Sequence, residues 1–536
     1  MESYARGPAG TIVRTSVGEA FLETAARFPD NLAISSRHQG VRMTWSEYAL
    51  AAQRAAAGLR ALGLAPGDRA GVWATNCAEW VTMQFGCALA GVVLVNINPS
   101  YRSHELSYVL QKSRIRALFL NSRDRRTDYL SILDESRVGE SLALRHVICF
   151  DSPDWQAFLR DPDGVECRPD PDEPANMEYT SGTTGAPKGV LLTHVNLVNN
   201  GRFIAQYLCL SEQDRICLPV PMFHCFGCVI GTQTAAVCGA ACIFPAATFD
   251  PLATLEAVDA DEATAIYGVP AMFIAELNHP EFSRFRLTSL RTGVMAGAPC
   301  PVEIMKRVVN DMHCPQMVVG YGQTESTPII TMSHVDDSVD TRCTTVGCAL
   351  PETEVRIASP SGETVPVGEQ GELLARGYMV MKGYDGDPEA TSRAVDADGW
   401  LHTGDLALMR PDGYFRITGR AKDLIIRGGE NISPREVEEF LHTHPKIADV
   451  QVIGIPDERL GETVVAWVRL KTGESADEEE LRAYCREKLA YFKVPQHIRF
   501  VDSYPMTLSG KVQKFKMRQF EIENRGLQKA AGQQTA

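Results

Sequence analysis

The stretch that decides the fold runs from Tyr179 to Val190 and reads YTSGTTGAPKGV. Its three glycines, at 182, 185 and 189, let the backbone approach a ligand closely, so that several N–H groups can converge on one anion. Four Ser and Thr hydroxyls and Lys188 add further donors and a positive charge. Strand-like segments on both sides argue against a flexible linker. The stretch therefore predicts a phosphate-binding loop.

Two better-known phosphate loops do not match this stretch. A Walker loop requires the pattern G-x-x-x-x-G-K-[ST], whereas here Pro187 precedes Lys188 and Gly189 follows it. A dinucleotide-binding loop requires G-x-G-x-x-G directly after an early strand, and no early strand of this chain is followed by it. The stretch is therefore neither of these two loops.

Outward from this loop, up to about residue 330, short apolar runs alternate with segments of helical periodicity, which is typical of βαβ units. We predict two α/β subdomains in succession. The predicted strands are 70–74, 92–97, 117–121, 146–150, 216–220, 241–244, 265–269, 292–296 and 317–322, and the predicted helices include 77–91, 302–312 and one capped by Thr193 that ends near Leu208.

After residue 344 the pattern changes to short strands separated by Gly, Pro, Asp and Ser. The segments 344–350, 354–359, 371–377 and 414–419 predict a small distorted β-barrel. Mixed helix and strand follow, including a helix with Ser433 at its cap and Pro434 in its first turn. The predicted fold class is multidomain α/β, with a large N-terminal domain over 1–420 and a small α+β C-terminal domain over 421–536.

The composition excludes several classes of protein. The chain has 536 residues, more than one hydrophobic core usually serves, and is 44% hydrophobic and 22% charged. A net charge of −14 argues against nonspecific binding to nucleic acid or anionic lipid. Fifteen scattered cysteines, no apolar run of membrane-spanning length and no secretory signal favour a cytoplasmic protein.

Four further motifs share a family with the loop. They are GYGQTES (320–326), GWLHTGD (399–405), GRAKDLIIRGGENISPREVE (419–438) and PMTLSGKVQK (505–514). The five motifs, in this order, resemble those of the adenylate-forming (ANL) superfamily, which includes acyl-CoA synthetases, luciferases and peptide-synthetase adenylation domains. The C-terminal third is most similar to the medium-chain acyl-CoA ligases.

This resemblance implies a two-step reaction with ATP, Mg²⁺ and coenzyme A. A carboxylate would first attack ATP to form an acyl-adenylate, and the thiol of CoA would then displace AMP. Glu325 would hold Mg²⁺, and Asp405 and Arg420 would bind the ribose. The resemblance assigns the remaining nucleotide contacts to Thr180, Ser181, Gly182, Thr183, Thr184, Gly185, Lys188, Gly297, Ala298, Pro299, Tyr321, Gly322 and Thr324.

The resemblance also implies a moving C-terminal domain. Lys511 would bridge the carboxylate and the α-phosphate during adenylation, with Thr184 and Glu325 as the other catalytic residues. Lys422 would be the hinge about which the domain rotates. Rotation would bring Gly428 and Gly429 to the pantetheine tunnel, where the absence of side chains leaves room for a thiol arm.

The acid itself is less clearly specified. His224, Cys225, Phe226 and Val269 would line the acyl pocket, and the segment 222–231 contains no Asp or Glu to pair with an amino acid's ammonium group. A medium-chain fatty acid fits this apolar set, and a bulky aryl or polycyclic acid of secondary metabolism is the alternative. A nucleotide-binding protein without catalysis and a luciferase-like monooxygenase stay open as other classes. The oligomeric state, a homodimer included, and the choice between free CoA and a carrier-protein thiol are also open.

Overall fold

The computed structural model describes residues 1–124, 127–136, 143–162, 168–180, 187–420, 423–427, 430–457, 459–486, 489–507 and 510–528. The chain divides into two compact units. The large unit comprises residues 5–355 and 375–402, and the small unit comprises residues 1–4, 356–374 and 403–536.

The strands, in chain order, are β1 (Tyr4–Arg6), β2 (Leu32–Ser36), β3 (Val41–Thr44), β4 (Arg69–Trp73), β5 (Val93–Asn96), β6 (Ala117–Leu120), β7 (His146–Cys149), β8 (Pro174–Thr180), β9 (Lys188–Thr193), β10 (Arg215–Cys217), β11 (Ala241–Phe244), β12 (Ala265–Gly268), β13 (Thr292–Ala296), β14 (Gln316–Gly322), β15 (Ile329–Met332), β16 (Cys348–Ala349), β17 (Thr353–Ala358), β18 (Gly371–Gly377), β19 (Gly383–Tyr384), β20 (Leu401–Met409), β21 (Phe415–Arg420), β22 (Ile425–Arg427), β23 (Glu430–Ile432), β24 (Ile447–Asp457), β25 (Gly461–Leu470) and β26 (His497–Phe500).

The α-helices are α1 (Val17–Arg27), α2 (Trp45–Ala61), α3 (Ala78–Ala90), α4 (Ser103–Ser113), α5 (Tyr129–Ser136), α6 (Pro153–Phe158), α7 (His194–Tyr207), α8 (Thr234–Cys238), α9 (Pro251–Ala260), α10 (Pro270–Leu277), α11 (Val302–Asn310), α12 (Val339–Thr344), α13 (Pro388–Ala394), α14 (Pro434–Leu441), α15 (Glu478–Arg486) and α16 (Lys514–Asn524). A π-helix covers Phe226–Gln233, and a 3₁₀ turn covers Thr324–Ser326.

The large unit is built on two sheets, as the alternating sequence pattern predicts. One has the strand order β19-β9-β8-β5-β4-β6-β7, and the other has the order β16-β15-β14-β13-β12-β10-β11-β2-β3. Strands such as β5 and β6 are buried along their whole length, which explains their continuous apolar sequence. The α/β class is therefore confirmed.

Two details of the strand prediction are wrong. The hairpin β2–β3 stands before the first predicted strand, yet β2 pairs with β11 in the second sheet, so the two sheets are not two simple successive sets. The segment predicted at 344–350 forms β16, which pairs with β15 in the nine-stranded sheet rather than joining the small barrel. Pairing with the free edge of an existing sheet satisfies its backbone groups there.

The remaining short strands form a sheet of the order β1-β17-β18-β20-β21, and the C-terminal residues form the sheet β23-β22-β25-β24, with β26 paired to β25. Two apolar clusters pack against this C-terminal sheet. Val437, Leu441 and Leu481 belong to one cluster, and Trp467 and Met517 belong to the other. The predicted boundary between 420 and 421 stays a prediction, because residues 421 and 422 lie outside the described residues.

The two predicted helix caps have different outcomes. Thr193 caps α7 through a capping box with Asn196, and the helix ends at Tyr207 with Leu208 as its C-cap. Ser433 does precede Pro434 at the start of α14, but its hydroxyl donates to the carbonyl of Thr418 at 2.5 Å and accepts no N–H from its helix. The Ser-Pro pair indicates the helix start but not the use of the hydroxyl.

Candidate active site

The ends of the predicted phosphate loop are fixed by an antiparallel pair of strands. Thr180, the last residue of β8, lies opposite Lys188, the first residue of β9. The predicted contacts Ser181, Gly182, Thr183, Thr184 and Gly185 lie outside the described residues. The strands therefore hold the two ends of the loop side by side, and Lys188 begins the strand that leaves it.

Glu325 lies in the 3₁₀ turn that follows β14, as predicted from its position after an apolar strand. The Tyr384 hydroxyl donates to its Oε1 at 2.8 Å, and the Met381 N–H donates to its backbone carbonyl at 2.9 Å. Burial and then the neighbouring Glu325 carboxylate raise the pKa of Tyr384 well above its usual value, so the hydroxyl keeps its proton and acts as a donor.

Lys188 contacts the aromatic ring of the same tyrosine. Its Nζ lies 4.8 Å from the centroid of the Tyr384 ring, within the range of a cation–π interaction. Tyr384 thus contacts both Lys188, which follows the predicted phosphate loop, and the carboxylate of Glu325 in the QTE turn. Tyr384 could not be recognised from the sequence, because only the pairing of β19 with β9 brings it next to Lys188.

The donor chemistry around Glu325 fits a magnesium ion. Mg²⁺ prefers oxygen ligands, keeps several waters and is commonly held by one or two carboxylates together with substrate phosphates. Within the described ranges, no group of three or more His, Cys, Asp or Glu side chains is arranged to hold a metal ion. Glu325 alone would therefore be one ligand of a magnesium ion whose other ligands come from water and nucleotide phosphates.

The residues predicted around the adenine base lie at the carboxyl ends of two strands of the nine-stranded sheet. β13 and β14 are parallel neighbours, with Ala296 opposite Gly320. Gly297 follows β13 with a φ of +84°, a backbone conformation that favours glycine. Gly297, Ala298 and Pro299 are exposed, and Tyr321 and Gly322 are half-buried at the end of β14. The structure thus brings these five residues to the carboxyl edge of the sheet, where ligands bind in open α/β folds.

Three of the four predicted acyl-pocket residues belong to the main apolar cluster of the large unit. Cys225, Phe226 and Val269 are all buried in it. His224 precedes the π-helix, and its Nδ1 accepts the Phe226 N–H at 3.1 Å. This contact fixes the His224 ring at the start of the π-helix, and its place in the acyl pocket stays a prediction.

A buried carboxyl against this segment was missed from the sequence. Cys228 Sγ donates to Glu178 Oε1 at 3.2 Å, and Glu178 is 3% exposed. Burial is the main cause that raises the pKa of Glu178 to about 8, so the group is largely neutral at pH 7. The absence of Asp and Glu from 222–231 therefore does not leave this segment without a carboxyl neighbour. The alternation of polar residues at 176, 178 and 180 in β8 is the signal that could have shown it.

In the small unit, Asp405 and Arg420 form a cross-strand pair. They lie opposite each other in β20 and β21, and Arg420 Nε donates to Asp405 Oδ1 at 2.7 Å. Asp405 is 5% exposed, whereas the Arg420 side chain is 43% exposed. The arginine thus orients the buried carboxylate that is predicted to bind the ribose.

Lys511 is exposed and lies in a tight hairpin of the small unit. Met506 and Val512 form an isolated antiparallel bridge. The Thr507 N–H donates to the Lys511 carbonyl at 2.8 Å, and the Lys511 N–H donates to Thr507 Oγ1 at 3.0 Å. Gly510, with a φ of +76°, supplies the turn. The backbone of Lys511 is therefore held on both of its polar groups by one threonine.

The other residues implied for the moving domain are not placed by the structure. Lys422, the predicted hinge, and Gly428 and Gly429 of the predicted pantetheine tunnel lie outside the described residues. Arg427 next to them donates through Nη1 to the Phe492 carbonyl at 2.6 Å. This contact ties the preceding strand β22 to the turn that ends with Lys493.

Comparison with protein families gives two matches. The AMP-binding enzyme family model matches residues 21–385, and the model of the AMP-binding enzyme C-terminal domain matches residues 436–511. The first match includes Thr180, Lys188 and Glu325, and the second ends at Lys511.

Individual proteins resemble the chain over nearly its whole length. YngI of Bacillus subtilis (strain 168) is 44% identical, over 96% of this chain and 98% of its own. The mitochondrial medium-chain acyl-CoA ligase ACSF2 of Danio rerio is 41% identical, over 98% of this chain and 91% of its own. Among solved structures, ATP-bound MatB from Rhodopseudomonas palustris aligns with a TM-score of 0.84 and 28% identity, covering 94% of this chain and 98% of that one.

The cellular location is only partly constrained. In the part of the chain that the structure describes, no helix is both long and apolar enough to cross a membrane. One relative is bacterial and another is mitochondrial by name, so the cytoplasmic location expected from the sequence stays a prediction.

Proposed function

The chain belongs to the AMP-binding enzyme family and is an acid–thiol ligase of the acyl-CoA synthetase type that uses ATP, Mg²⁺ and CoA; we propose that its acid is a medium-chain fatty acid and that the residues described above divide the two steps between them. The observation that carries the assignment of residues is the meeting of Lys188 and Glu325 on Tyr384. Lys188, proposed to bind phosphate, and Glu325, proposed to bind the metal, thereby contact the same side chain.

The first step joins the acid to AMP. A carboxylate oxygen of the acid attacks the α-phosphorus of ATP, a P–O bond forms, and the bond to the β-phosphate oxygen breaks to release pyrophosphate. Thr180 to Lys188, with Thr184 among them, bind the β- and γ-phosphates, and Thr324 donates to the α-phosphate. Mg²⁺ bound through Glu325 supplies charge neutralisation. Lys511 adds a positive charge where the carboxylate meets the α-phosphate, because both partners are anionic.

The second step uses the adenylate as an activated acyl group. The sulfur of CoA attacks the acyl carbon, the bond to the AMP oxygen breaks, and the thiol proton leaves to solvent or to the departing phosphate. Asp405 and Arg420 retain the AMP portion through its ribose. We propose that rotation about Lys422 presents Gly428 and Gly429 to the pantetheine arm for this step.

The apolar environment supports a fatty acid as the substrate. Cys225, Phe226 and Val269 lie in one buried cluster, and the relative from Danio rerio is named for medium-chain acids. A neutral Glu178 beside Cys228 does not oppose an uncharged chain as an ionised carboxylate would. These features together favour an unsubstituted chain over an acid that carries an ammonium group.

A carboxylic acid screen tests the substrate. The enzyme is incubated with ATP, Mg²⁺ and CoA, together with fatty acids from short to long chain, benzoate, larger aryl acids and free amino acids. Pyrophosphate release and the mass of each CoA product are then measured. We expect the highest kcat/KM for a medium-chain fatty acid. A preference for an aryl or polycyclic acid would overturn the chain assignment while preserving the ligase.

Two controls accompany the screen. Glu325→Gln should abolish pyrophosphate release with every acid, which separates enzyme turnover from contaminating activity. A carrier-protein phosphopantetheine offered in place of CoA tests the acceptor, for which we propose free CoA. We also propose that the protein acts in the cytoplasm. Light scattering of the purified chain measures whether it works as a monomer or a homodimer.

A further inference from the structure

We propose that Tyr384 is a positioning residue for MgATP, and that its two ends do different work. Its hydroxyl orients the metal-binding carboxylate, and its ring holds the lysine of the phosphate loop. This inference rests on the proposed role of Glu325 in binding Mg²⁺ and of Lys188 in binding phosphate. Tyr384 itself touches neither the acid nor the thiol in this scheme.

The carboxylate of Glu325 is directional because of this tyrosine. Tyr384 donates to Oε1 with a 2.8 Å hydrogen bond, which fixes the orientation in which the carboxylate would meet a metal ion. The Met381 N–H holds the backbone of Glu325 from the same segment at 2.9 Å. Carboxylates that bind metals are commonly oriented by such second hydrogen bonds, and loss of one typically costs about 10- to 100-fold in metal affinity.

Backbone pairing holds the tyrosine in register with the phosphate loop. Tyr384 lies opposite Val190 in the β19–β9 pair, and the Asp385 N–H donates to the Gly189 carbonyl at 2.8 Å. Arg69 then binds Asp385 with two hydrogen bonds, of 2.8 and 2.6 Å. The segment is thereby fastened to the strand that begins with Lys188, so the ring and the ammonium group keep their relation.

The ring and the hydroxyl can be removed separately. Tyr384→Phe removes only the donor to Glu325 and leaves the face that Lys188 contacts. Tyr384→Leu removes both. Tyr384→Leu therefore differs from Tyr384→Phe only in the loss of the ring. We expect the loss of the hydroxyl to weaken metal binding, and the additional loss of the ring to weaken the binding of ATP without metal.

Binding without turnover supplies the measurement. Without a carboxylic acid, ATP is not consumed, and Mn²⁺ serves as a paramagnetic substitute for Mg²⁺. Free Mn²⁺ is measured by electron paramagnetic resonance as enzyme is added in the presence of ATP. Affinity for ATP alone is measured by calorimetry with a chelator present. Tyr384→Phe should weaken Mn²⁺ binding in the ATP complex about tenfold and leave metal-free ATP binding unchanged.

Tyr384→Leu should show the same loss of Mn²⁺ affinity and, in addition, bind metal-free ATP about two- to fivefold more weakly, the scale of an exposed cation–π contact. Tyr378→Phe is the matched control. It removes a tyrosine hydroxyl that accepts from Asn200 Nδ2 at 3.2 Å, six residues away from Tyr384, and should leave both affinities at the wild-type value. Thermal unfolding of all three variants verifies the fold.

The outcomes separate this inference from the proposed function. If the wild type binds Mn²⁺ in its ATP complex and Tyr384→Phe binds Mn²⁺ and ATP as tightly as the wild type does, Tyr384 has no positioning role and the inference is wrong. Equal weakening of metal-free ATP binding by both variants would also overturn the division between hydroxyl and ring. If neither the wild type nor Glu325→Gln binds Mn²⁺ in the presence of ATP, the proposed metal role of Glu325 is wrong instead. The premise of this inference is then wrong as well.

Discussion

Glu325 in the large unit and Lys511 in the small unit carry the two charges central to the proposed chemistry, and they are held in different ways. Glu325 is half-buried and is fixed by another side chain, the hydroxyl of Tyr384, as well as by a backbone N–H. Lys511 is exposed, and Thr507 holds both of its backbone polar groups. The contacts of Glu325 reach the carboxylate itself, whereas those of Thr507 fix the backbone from which the lysine side chain extends.

The difference suits the two proposed tasks. A metal carboxylate works best when its oxygens keep one orientation, because metal affinity depends on ligand geometry. A lysine that must reach a carboxylate and an α-phosphate benefits from a long side chain with three rotatable donors. The comparison predicts that substitution of Lys511 should slow the adenylation half-reaction alone. Substitution of Thr507, which holds the Lys511 backbone, should slow the same half-reaction by a smaller factor.

The largest effect is expected from Lys511→Ala. Acid-dependent pyrophosphate formation should fall by at least about a hundredfold, the scale seen when one electrostatic stabiliser of a transition state is removed. Conversion of a supplied acyl-adenylate and CoA to thioester should continue near the wild-type rate. The two half-reactions are measured separately, by pyrophosphate release and by thioester mass. Lys516→Ala, an exposed lysine of α16, controls for the loss of a charge. Equal loss in both halves would remove the distinction between the two regions.

An intermediate effect is expected from Thr507→Val. The substitution keeps the size of the side chain but removes the acceptor of the Lys511 N–H. Adenylation should fall about five- to tenfold, which corresponds to one hydrogen bond of about 1 kcal/mol. The change should appear in kcat more than in the KM for ATP, and the thioester half should stay intact.

Thr507→Ser provides the matched control for this anchor, because it restores the hydroxyl. It should recover most of the wild-type adenylation rate. If the serine variant is as slow as the valine variant, restoring the hydroxyl does not restore the position of Lys511, and the proposed anchoring role of this hydrogen bond is wrong. If both are as fast as wild type, the backbone of Lys511 needs no such anchor.

Glu178→Gln should have the smallest effect on catalysis, and its effect should instead appear in the pH dependence of stability. The pKa of Glu178 is raised to about 8, so between about pH 4.5 and pH 8 the folded chain keeps a proton that the unfolded chain releases. Glu178 therefore lowers stability progressively as pH rises through this range, by at most about 5 kcal/mol at about 1.4 kcal/mol per pKa unit. Glutamine cannot ionise and removes this dependence.

Thermal unfolding without metal ions at several pH values measures the effect. Near pH 5 the variant and the wild type should unfold at similar temperatures, whereas near pH 8 the variant should be more stable. Glu256→Gln, at an exposed position of α9, controls for the loss of a carboxyl group. A constant difference at every pH would show that Glu178 does not retain its proton on folding.

Several parts of the site could be predicted from the sequence, because they depend on local patterns. Thr193 as the cap of α7 and the QTE turn after β14 follow from neighbouring residues alone, and both are confirmed. The alternation of apolar strands and helices likewise predicts the α/β class. The roles of Lys511, Glu325 and the loop residues stay predictions, since they rest on resemblance and on binding that only the experiments above measure.

By itself, the sequence determined the family of the protein, the order of its motifs and the class of its fold, since these are written in local residue patterns. Only the tertiary structure placed β16 in the nine-stranded sheet, Glu178 against Cys228, and Tyr384 between Lys188 and Glu325. Tyr384 is separated from Lys188 by nearly two hundred residues of sequence. Strand pairing joins such distant segments through backbone hydrogen bonds, which carry no side-chain pattern from which the partner could have been recognised.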